Sequence, residues 1–371
     1  MKKVDRLIIS ELFGPWLMGV AMFSTLLLAA TYLGTLTGLI VDGVDFGTVL
    51  KVTALVLPPT LISTFAMATL LGALLAFGRL SGDSEIVALR AGGASIYRIL
   101  TPVALFTMVV ALVTFALNDT LVPYATKQKE SLIREISKAT KAKAVQPTFS
   151  VQTEDERVTA TIQALDFSLQ NGTLTNVVIT GWDAERQPTF LLFADQLKYA
   201  GNKTDWRIIG EATLMGADGR DRTVFKDGLW PGQIPKINAT PQELTAQKIS
   251  DPNYFTTGEL REQVRQAALT KSMTPSDVRN REFWFWTKFT IPLAAFVFGI
   301  LGAALGIRSH RAGTGTGFAL SIGIMFAYQV ISNFGATWAM GGAIPPALAA
   351  FVPLILGLIA AGIIMWKRNN G

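Results

Sequence analysis

Six long apolar stretches divide the 371-residue chain. They cover roughly residues 12–40, 52–78, 99–117, 289–307, 316–336 and 345–365. A helix needs about 20 apolar residues to cross a hydrocarbon core of about 30 Å, and each stretch is close to that length or longer. None of them contains Asp, Glu, Lys, Arg or His within its body. The pattern predicts a membrane α-helical fold with six transmembrane helices.

The pattern changes between the third and fourth apolar stretches. Residues 124–143 are polar, lack Gly and Pro, and carry apolar residues at helical spacing, which predicts a helix leading away from the membrane. Residues 255–268 again show helical spacing. Between them, short runs separated by turn-forming residues predict strands at 157–166, 173–182, 188–200, 206–215 and 220–226. We predict an all-β sandwich or roll with flanking helices at 124–282, inserted between transmembrane parts 1–123 and 283–371.

Basic residues outside the insert predict the orientation of the chain. The insert is close to neutral, so the net charge of +6 lies in the hydrophobic parts and does not indicate nucleic-acid binding. If the six spans alternate, one side carries Lys2, Lys3, Arg6, Arg79, Arg90, Arg98, Arg308, Arg311, Lys367 and Arg368. The short loops on the other side contain only Lys51. Because positively charged loops stay in the cytoplasm, both termini are predicted to be cytoplasmic and the insert to lie outside.

Several kinds of chemistry are missing from the sequence. The chain has no cysteine and a single histidine, His310, so neither cysteine chemistry nor a histidine metal cluster is available. No G-x-x-x-x-G-K-[ST] motif occurs, so we expect no ATP-binding loop. The spans lack the acidic and histidine residues that proton-driven carriers keep inside the membrane. We therefore expect no metal, no cofactor and no catalytic residue, and we expect the energy for any work to come from elsewhere.

One cytoplasmic stretch, residues 81–94, predicts a short helix between the second and third spans. Ser81 or Asp83 can cap its start, and a double glycine can end it. Ile86 and Leu89 share one face. Such a helix can lie on the membrane surface, dock in a groove of a partner protein, or serve as an ordinary connector, and these alternatives stay open.

The same stretch resembles the coupling helix of the lipopolysaccharide export permease family, the LptF/LptG type (YjgP/YjgQ permeases). The matching positions are Leu80, Ser81, Asp83, Ser84, Glu85, Ile86, Ala88, Leu89, Arg90, Ala91, Gly93, Ala94 and Ser95. Weaker matches follow at residues 118–123 and 292–311. The layout of three spans, an outer β domain and three spans is also that of the family, so the resemblance covers nearly the whole chain.

This resemblance implies a permease subunit of an ATP-driven ABC-type exporter in the bacterial inner membrane. Two six-span permeases, either copies or paralogues, would bind a cytoplasmic ABC ATPase of the LptB type. Lipopolysaccharide would then pass from the inner membrane to periplasmic jellyroll proteins of the LptC and LptA type, and the insert would be a periplasmic jellyroll-like domain. The implied ATPase-binding residues are Asp83, Ser84, Glu85, Ile86, Ala88, Leu89 and Arg90. Glu85 would make the ionic contact, and Ile86, Ala88 and Leu89 would pack in the groove of the ATPase.

The first span departs from the family because it lacks basic residues for lipid phosphates. The candidate phosphate contacts are instead Lys51, Lys127, Lys129 and Lys288. The alternative is that these lysines anchor the spans at the membrane interface. The candidate acyl-chain contacts are Phe13, Trp16 and Phe23, although ordinary packing against the bilayer explains these residues equally well.

Three other functions compete with lipopolysaccharide export. The chain could export a different amphipathic lipid by the same mechanism. It could instead be a membrane-anchored periplasmic scaffold without transport, which would need no ATPase contact. A membrane enzyme would need a catalytic cluster, and the acidic residues of the insert are scattered along its predicted strands and turns.

Overall fold

A computed structural model describes most of the chain. The described residues are 2–140, 148–152, 158–168, 172–183, 187–201, 205–216, 221–226, 228, 230–232, 234, 237, 251–270, 273, 275–307 and 314–370. Arg157 and Arg220, where two predicted strands begin, lie outside these residues. The same holds for Arg308, His310 and Arg311, which follow the fourth predicted span. The chain divides into two compact units. The first comprises Met1–Leu132, Asn253–Lys271 and Pro275–Gly371, and the second comprises Ile133–Pro252 and Ser272–Thr274.

Long helices dominate the described part of the chain. Their bounds are α1 Lys2–Val41, α2 Phe46–Gly82, α3 Glu85–Ala91, α4 Ile96–Asp119, α5 Leu121–Thr140, α6 Thr257–Thr270, α7 Pro275–Gly306, α8 Thr314–Met340 and α9 Pro346–Asn370. Six helical stretches of the described residues are long and apolar enough to cross a membrane: Lys3–Val41, Phe46–Gly82, Ile96–Ile136, Pro275–Gly306, Gly317–Met340 and Pro346–Arg368. The six predicted spans are therefore confirmed as apolar helices, most of which extend well beyond their apolar stretches.

Close contact between α2 and α7 builds the centre of the first unit. A Cβ atom at Gly302 would lie 2.7 Å from the carbonyl oxygen of Leu70, and one at Gly306 would lie 2.6 Å from the Cβ of Phe77. Only glycine allows the two helix backbones to approach this closely. Phe298 and Leu74 are buried in the same region. The glycine-rich sequence of α7 thus serves helix packing.

The second unit contains one antiparallel sheet in chain order, with strands β1 Thr148–Gln152, β2 Val158–Ser168, β3 Thr173–Trp182, β4 Pro188–Tyr199, β5 Trp206–Gly216 and β6 Arg222–Lys226. Ile162, Ile179, Leu192 and Leu214 lie opposite one another on β2 to β5. All four are buried, because alternate residues of a strand face the same side. Ile237 covers this apolar face.

The inserted all-β domain is therefore confirmed, with two differences from the sequence-based prediction. Among the described residues the strands form a single sheet in sequential order rather than two facing sheets. The first strand, Thr148–Gln152, was not predicted, although its apolar residues Phe149 and Val151 alternate with polar ones. The two flanking helices were predicted correctly and correspond to α5 and α6.

Candidate functional site

The short helix α3 lies between α2 and α4. Helix α2 continues to Gly82, so the predicted caps Ser81 and Asp83 are wrong: Ser81 still belongs to α2, and Asp83 lies in the turn that follows. Ser84 precedes α3 in the left-handed region, with φ of 62°, and its side chain makes no cap hydrogen bond. Gly93, with φ of +85°, ends the helix as predicted, and the following N–H of Ala94 bonds to the Leu89 carbonyl (3.0 Å).

One face of α3 is fixed in the core of this chain. The side chain of Ile86 is only 2% exposed and packs in a cluster with Ile8 of α1, Phe77 of α2 and Ile96 of α4. Leu89 is partly buried against the same cluster. In this structure Ile86 therefore anchors α3 in the core and does not lie on the surface.

The rest of α3 and the turn before it are largely exposed and mix charged, polar and apolar groups. Asp83, Ser84, Ala88 and Arg90 are all exposed, and the side chain of Val87 is 63% exposed. Val87 was not among the predicted contacts, although it directly follows Ile86 in the chain. We call these five residues the α3 surface.

Glu85 lies at the border between the buried and exposed faces of α3. Its side chain is partly buried, and its Oε2 atom is buried without a hydrogen-bond partner among the described residues. A buried carboxylate oxygen without a donor is energetically costly. Glu85 would have to turn this oxygen outward to accept a hydrogen bond from a basic group of another molecule.

Two ion pairs hold α1 next to this region. Arg98 of α4 lies 2.7 Å from Asp5, and Arg79 of α2 lies 2.5 Å from Glu11. Both pairs are partly exposed, so each contributes little to stability. They fix the position of α1, because they attach it to α2 and α4, the helices on either side of α3.

The four candidate lysines have different environments. Lys51 is exposed. The side chain of Lys288 is only 3% exposed, and its Nζ donates to the carbonyl oxygen of Asn118 (3.1 Å). This carbonyl belongs to the last turn of α4, where helix carbonyls lack intrahelical partners. Lys288 therefore stabilises the end of α4 and is neither an accessible phosphate contact nor an interfacial anchor.

Lys127 and Lys129 lie on α5 and contact neighbouring side chains. Lys127 lies 2.6 Å from a carboxylate oxygen of Glu259 on α6 and 5.4 Å from the ring centre of Tyr254. Partial burial raises the pKa of Glu259, but hydrogen bonds from Lys127 and from the Thr256 backbone outweigh it and hold the pKa below its usual value. Lys129 lies 5.9 Å from the ring centre of Tyr32. These contacts hold α5 against α6 and α1.

The three aromatic candidates on α1 differ in how far their side chains are exposed. Phe13 is 51% exposed, whereas Phe23 is 5% exposed and belongs to the core. Trp16 packs against Phe65 and Phe106, with ring centres 5.5 and 5.9 Å apart. Of the three, Phe13 presents the most exposed ring. Two exposed amides of α8, Gln329 and Asn333, were not among the predicted candidates, because they carry no charge.

Comparison with known proteins identifies the family. The family model described as "Lipopolysaccharide export system permease LptF/LptG" matches residues 6–367. The "Lipopolysaccharide export system permease protein LptG" of Haemophilus influenzae is 24% identical over 337 residues, which cover 86% of this chain and 85% of that relative. The matched region includes all six apolar helices, the inserted sheet and α3. The chain therefore belongs to the LptF/LptG family of lipopolysaccharide export system permeases.

Proposed function

We propose that this permease is the membrane subunit of an ATP-driven exporter and that the α3 surface binds its cytoplasmic ABC ATPase, of the LptB type. The observation that supports this is the two-sided environment of α3: Ile86 is buried in the core, while Val87 and Asp83 are exposed beside it. The chain itself performs no covalent chemistry in this proposal. A second permease subunit and periplasmic proteins of the LptC and LptA type complete the proposed export path.

The buried face of α3 supports a mechanical role. The Ile86 cluster contains residues of α1, α2, α4 and α7, including Ile8, Phe77, Ile96 and Ala303. Protein cores are densely packed, so a displaced helix moves its neighbours with it. ATP-dependent movement of the docked ATPase would therefore be transmitted through α3 to four helices at once.

The distribution of charge supports the proposed orientation. The α3 surface lies in a loop on the same side as both termini if the apolar helices alternate across the bilayer. That side carries most of the basic residues outside the insert. Under the positive-inside rule α3 is cytoplasmic and the six-stranded sheet is periplasmic.

Two lysines on the proposed periplasmic side remain as candidates for contact with lipid phosphates. Lys51 is exposed near the start of α2, and Lys129 is partly exposed on α5. Both carry a positive charge that can contact lipid phosphates. Phe13 is the acyl-chain candidate with the most exposed ring. Mass spectrometry of lipids that co-purify with the full-length protein distinguishes lipopolysaccharide from another amphipathic lipid.

The docking proposal is tested with Val87→Asp in the full-length protein. The substitution places a charge in the proposed apolar contact, so we expect at least a tenfold loss of co-purified ATPase in mild detergent, with unchanged expression of the permease. Leu269→Asp is the matched control, because Leu269 is 77% exposed on α6. Glu85→Lys tests the ionic contact separately and is expected to reduce ATPase binding in the same way.

The scaffold function makes the opposite prediction. A scaffold has no need for an ATPase, so wild-type protein purified with its partners would contain none. If Val87→Asp and Glu85→Lys both retain the wild-type amount of ATPase, the α3 surface is not the docking site. If Val87→Asp and Glu85→Lys lose the co-purified ATPase while Leu269→Asp retains it, the docking proposal is supported.

A further inference from the structure

The chain leaves the third span and returns toward the fourth span through helix ends that bind one another. Helix α4 ends at Asp119, and the chain continues through α5 into the second unit. It comes back from that unit at Asn253 and begins α6 at Thr257, shortly before α7. A contact between these helix ends therefore joins the two chain segments that lead into and out of the insert.

Asp119 binds the first residue of α6 with a single carboxylate oxygen. Its Oδ1 accepts hydrogen bonds from the backbone N–H and from the Oγ1 hydroxyl of Thr257, each at 2.6 Å. The first N–H groups of a helix have no partner within the helix, and the helix dipole favours a negative charge beside them. Asp119 thus fixes the end of α4 to the start of α6, 138 positions later in the chain.

A second contact joins α5 to the same turn of α6. Thr256 and Glu259 bond reciprocally, from the Thr256 N–H to Glu259 Oε2 (2.8 Å) and from the Glu259 N–H to Thr256 Oγ1 (3.1 Å). Lys127 of α5 donates to the other carboxylate oxygen of Glu259 (2.6 Å). The Glu259 carboxylate is therefore held by one partner at the start of its own helix and by another on α5.

Helix α7 contacts the residue that lies two positions before α6. The side chain of Arg281 is 6% exposed, and its guanidinium carbon lies 4.8 Å from the ring centre of Phe255 and 4.6 Å from that of Trp284. The faces of aromatic rings attract a guanidinium group. Lys288, about two turns further along α7, binds the Asn118 carbonyl at the end of α4. The contacts thus run in a closed ring from α4 to α6, from α6 to α7, and from α7 back to α4.

Six residues of this ring, which we call the connector joint, are Asp119, Lys127, Phe255, Thr257, Glu259 and Arg281. From the ring we infer that Asp119 is a positioning residue for export. By binding Thr257 it keeps the ends of α4, α6 and α7 together, so that the movement of the spans is passed to both chain segments that lead to the insert. The inference rests on the proposed ATP-driven export.

The proposed route begins at α3 and ends at the connector joint. The Ile86 cluster contains Ile96 of α4 and Ala303 of α7, so a displaced α3 moves both of these helices. The far ends of the same two helices carry Asp119 and Arg281. Without the Asp119 contact, α4 and α6 could move separately. The partner ATPase would then still hydrolyse ATP, but less of the movement would reach the insert.

Stabilisation of the fold alone is the competing role for Asp119. A contact that only stabilises the folded protein would lower Tm when it is removed, and ATP hydrolysis and lipid release would fall together. A positioning contact instead changes the amount of lipid released for each ATP hydrolysed. This ratio therefore distinguishes the two roles.

The experiment uses the full-length permease, purified with its partner subunits and reconstituted in proteoliposomes that contain lipopolysaccharide. ATP hydrolysis and the release of lipopolysaccharide to a soluble LptA-type acceptor are measured in the same sample. Asp119→Ala should lower the lipopolysaccharide released per ATP by about tenfold, because hydrogen bonds to a charged group are strong. ATP hydrolysis should stay within about twofold of the wild type. Thr257→Val removes the hydroxyl but keeps the backbone N–H, so it should lower the ratio by about threefold.

Two further variants of α4 serve as controls. Asp119→Asn should keep at least about half of the wild-type ratio, because the amide oxygen can still accept a hydrogen bond from the Thr257 N–H. Thr120→Val is the matched control for the loss of a polar group, since the Thr120 hydroxyl bonds to the Ala116 carbonyl of α4 (2.7 Å). It should leave the ratio unchanged.

Several outcomes would overturn the inference. These are a wild-type ratio in Asp119→Ala, a parallel fall of ATP hydrolysis and lipid release together with a lowered Tm, and an equal fall of the ratio in Thr120→Val. If Asp119→Ala does not fold, a wild-type ratio in Thr257→Val decides against the inference. A wild-type complex that contains no ATPase would refute the proposed function and this inference with it. A complex that contains the ATPase but keeps its ratio in Asp119→Ala would refute this inference alone.

Discussion

The substitution Ile86→Ala tests whether α3 is anchored in the core of the permease or held by its partner. The side chain of Ile86 is 2% exposed and lies in a cluster with residues of α1, α2 and α4. Truncating a buried isoleucine to alanine removes apolar contacts and leaves a cavity, at a cost of about 2–5 kcal/mol. Val87, its neighbour, is 63% exposed, so Val87→Ala should change stability by about 0.5 kcal/mol or less.

The assay is thermal unfolding of the purified permease without ATPase, in one detergent. The intrinsic fluorescence of the eight tryptophans reports the transition. We expect Ile86→Ala to lower Tm by at least about 4 °C, using roughly 2–4 °C per kcal/mol for a unit of this size. Ile86→Val, which removes a single methyl group, should fall between the wild type and Ile86→Ala.

Two outcomes would contradict the burial of Ile86 and the exposure of Val87. If Ile86→Ala left Tm of the isolated permease within 1 °C of wild type, yet abolished ATPase binding, Ile86 would act in the partner's groove, as the family resemblance implies. If Val87→Ala lowered Tm as much as Ile86→Ala, the assignment of the buried and exposed faces of α3 would be wrong.

Three further predictions concern packing and charge in the first unit. Gly302→Val should lower Tm of the purified permease by the equivalent of about 1–3 kcal/mol, because even a Cβ would lie 2.7 Å from the Leu70 carbonyl oxygen. Lys288→Glu should lower Tm by the equivalent of about 3 kcal/mol or more, since the buried ammonium bonds to a helix-end carbonyl, whereas Lys51→Glu at an exposed site should leave Tm almost unchanged. The pKa of Glu259 is lowered in the folded protein, so its ion pair stabilises the fold at neutral pH and this contribution is lost as pH falls through the lowered value. The Tm difference between wild type and Glu259→Gln should therefore be present at pH 7 and disappear in acid.

Features that depend on contiguous residues could be predicted from the sequence. The six apolar helices follow from the length of each uncharged stretch, because spanning a membrane depends on local composition. Five of the observed strands in the insert were predicted almost in full, β2 to β6, because period-two alternation and turn residues are local signals. Strand β1 was missed, although Phe149 and Val151 show the same alternation.

The roles of individual residues could not be predicted in the same way. The sequence shows Ile86 and Leu89 on one face of a short helix, but it does not show that Ile8 and Ile96 cover that face and leave Val87 exposed. Likewise, Lys288 borders an apolar stretch in the sequence as an interfacial lysine would, yet its Nζ bonds to the carbonyl of Asn118, 170 positions earlier in the chain.

The sequence by itself thus determined the six apolar helices, the inserted β domain and the family. The tertiary structure decided which side of α3 can meet a partner, which lysines remain accessible, and where α8 turns exposed amides outward. The physical reason is that hydropathy and strand alternation are properties of neighbouring residues, whereas burial depends on residues that are distant in the chain and meet only when the helices pack.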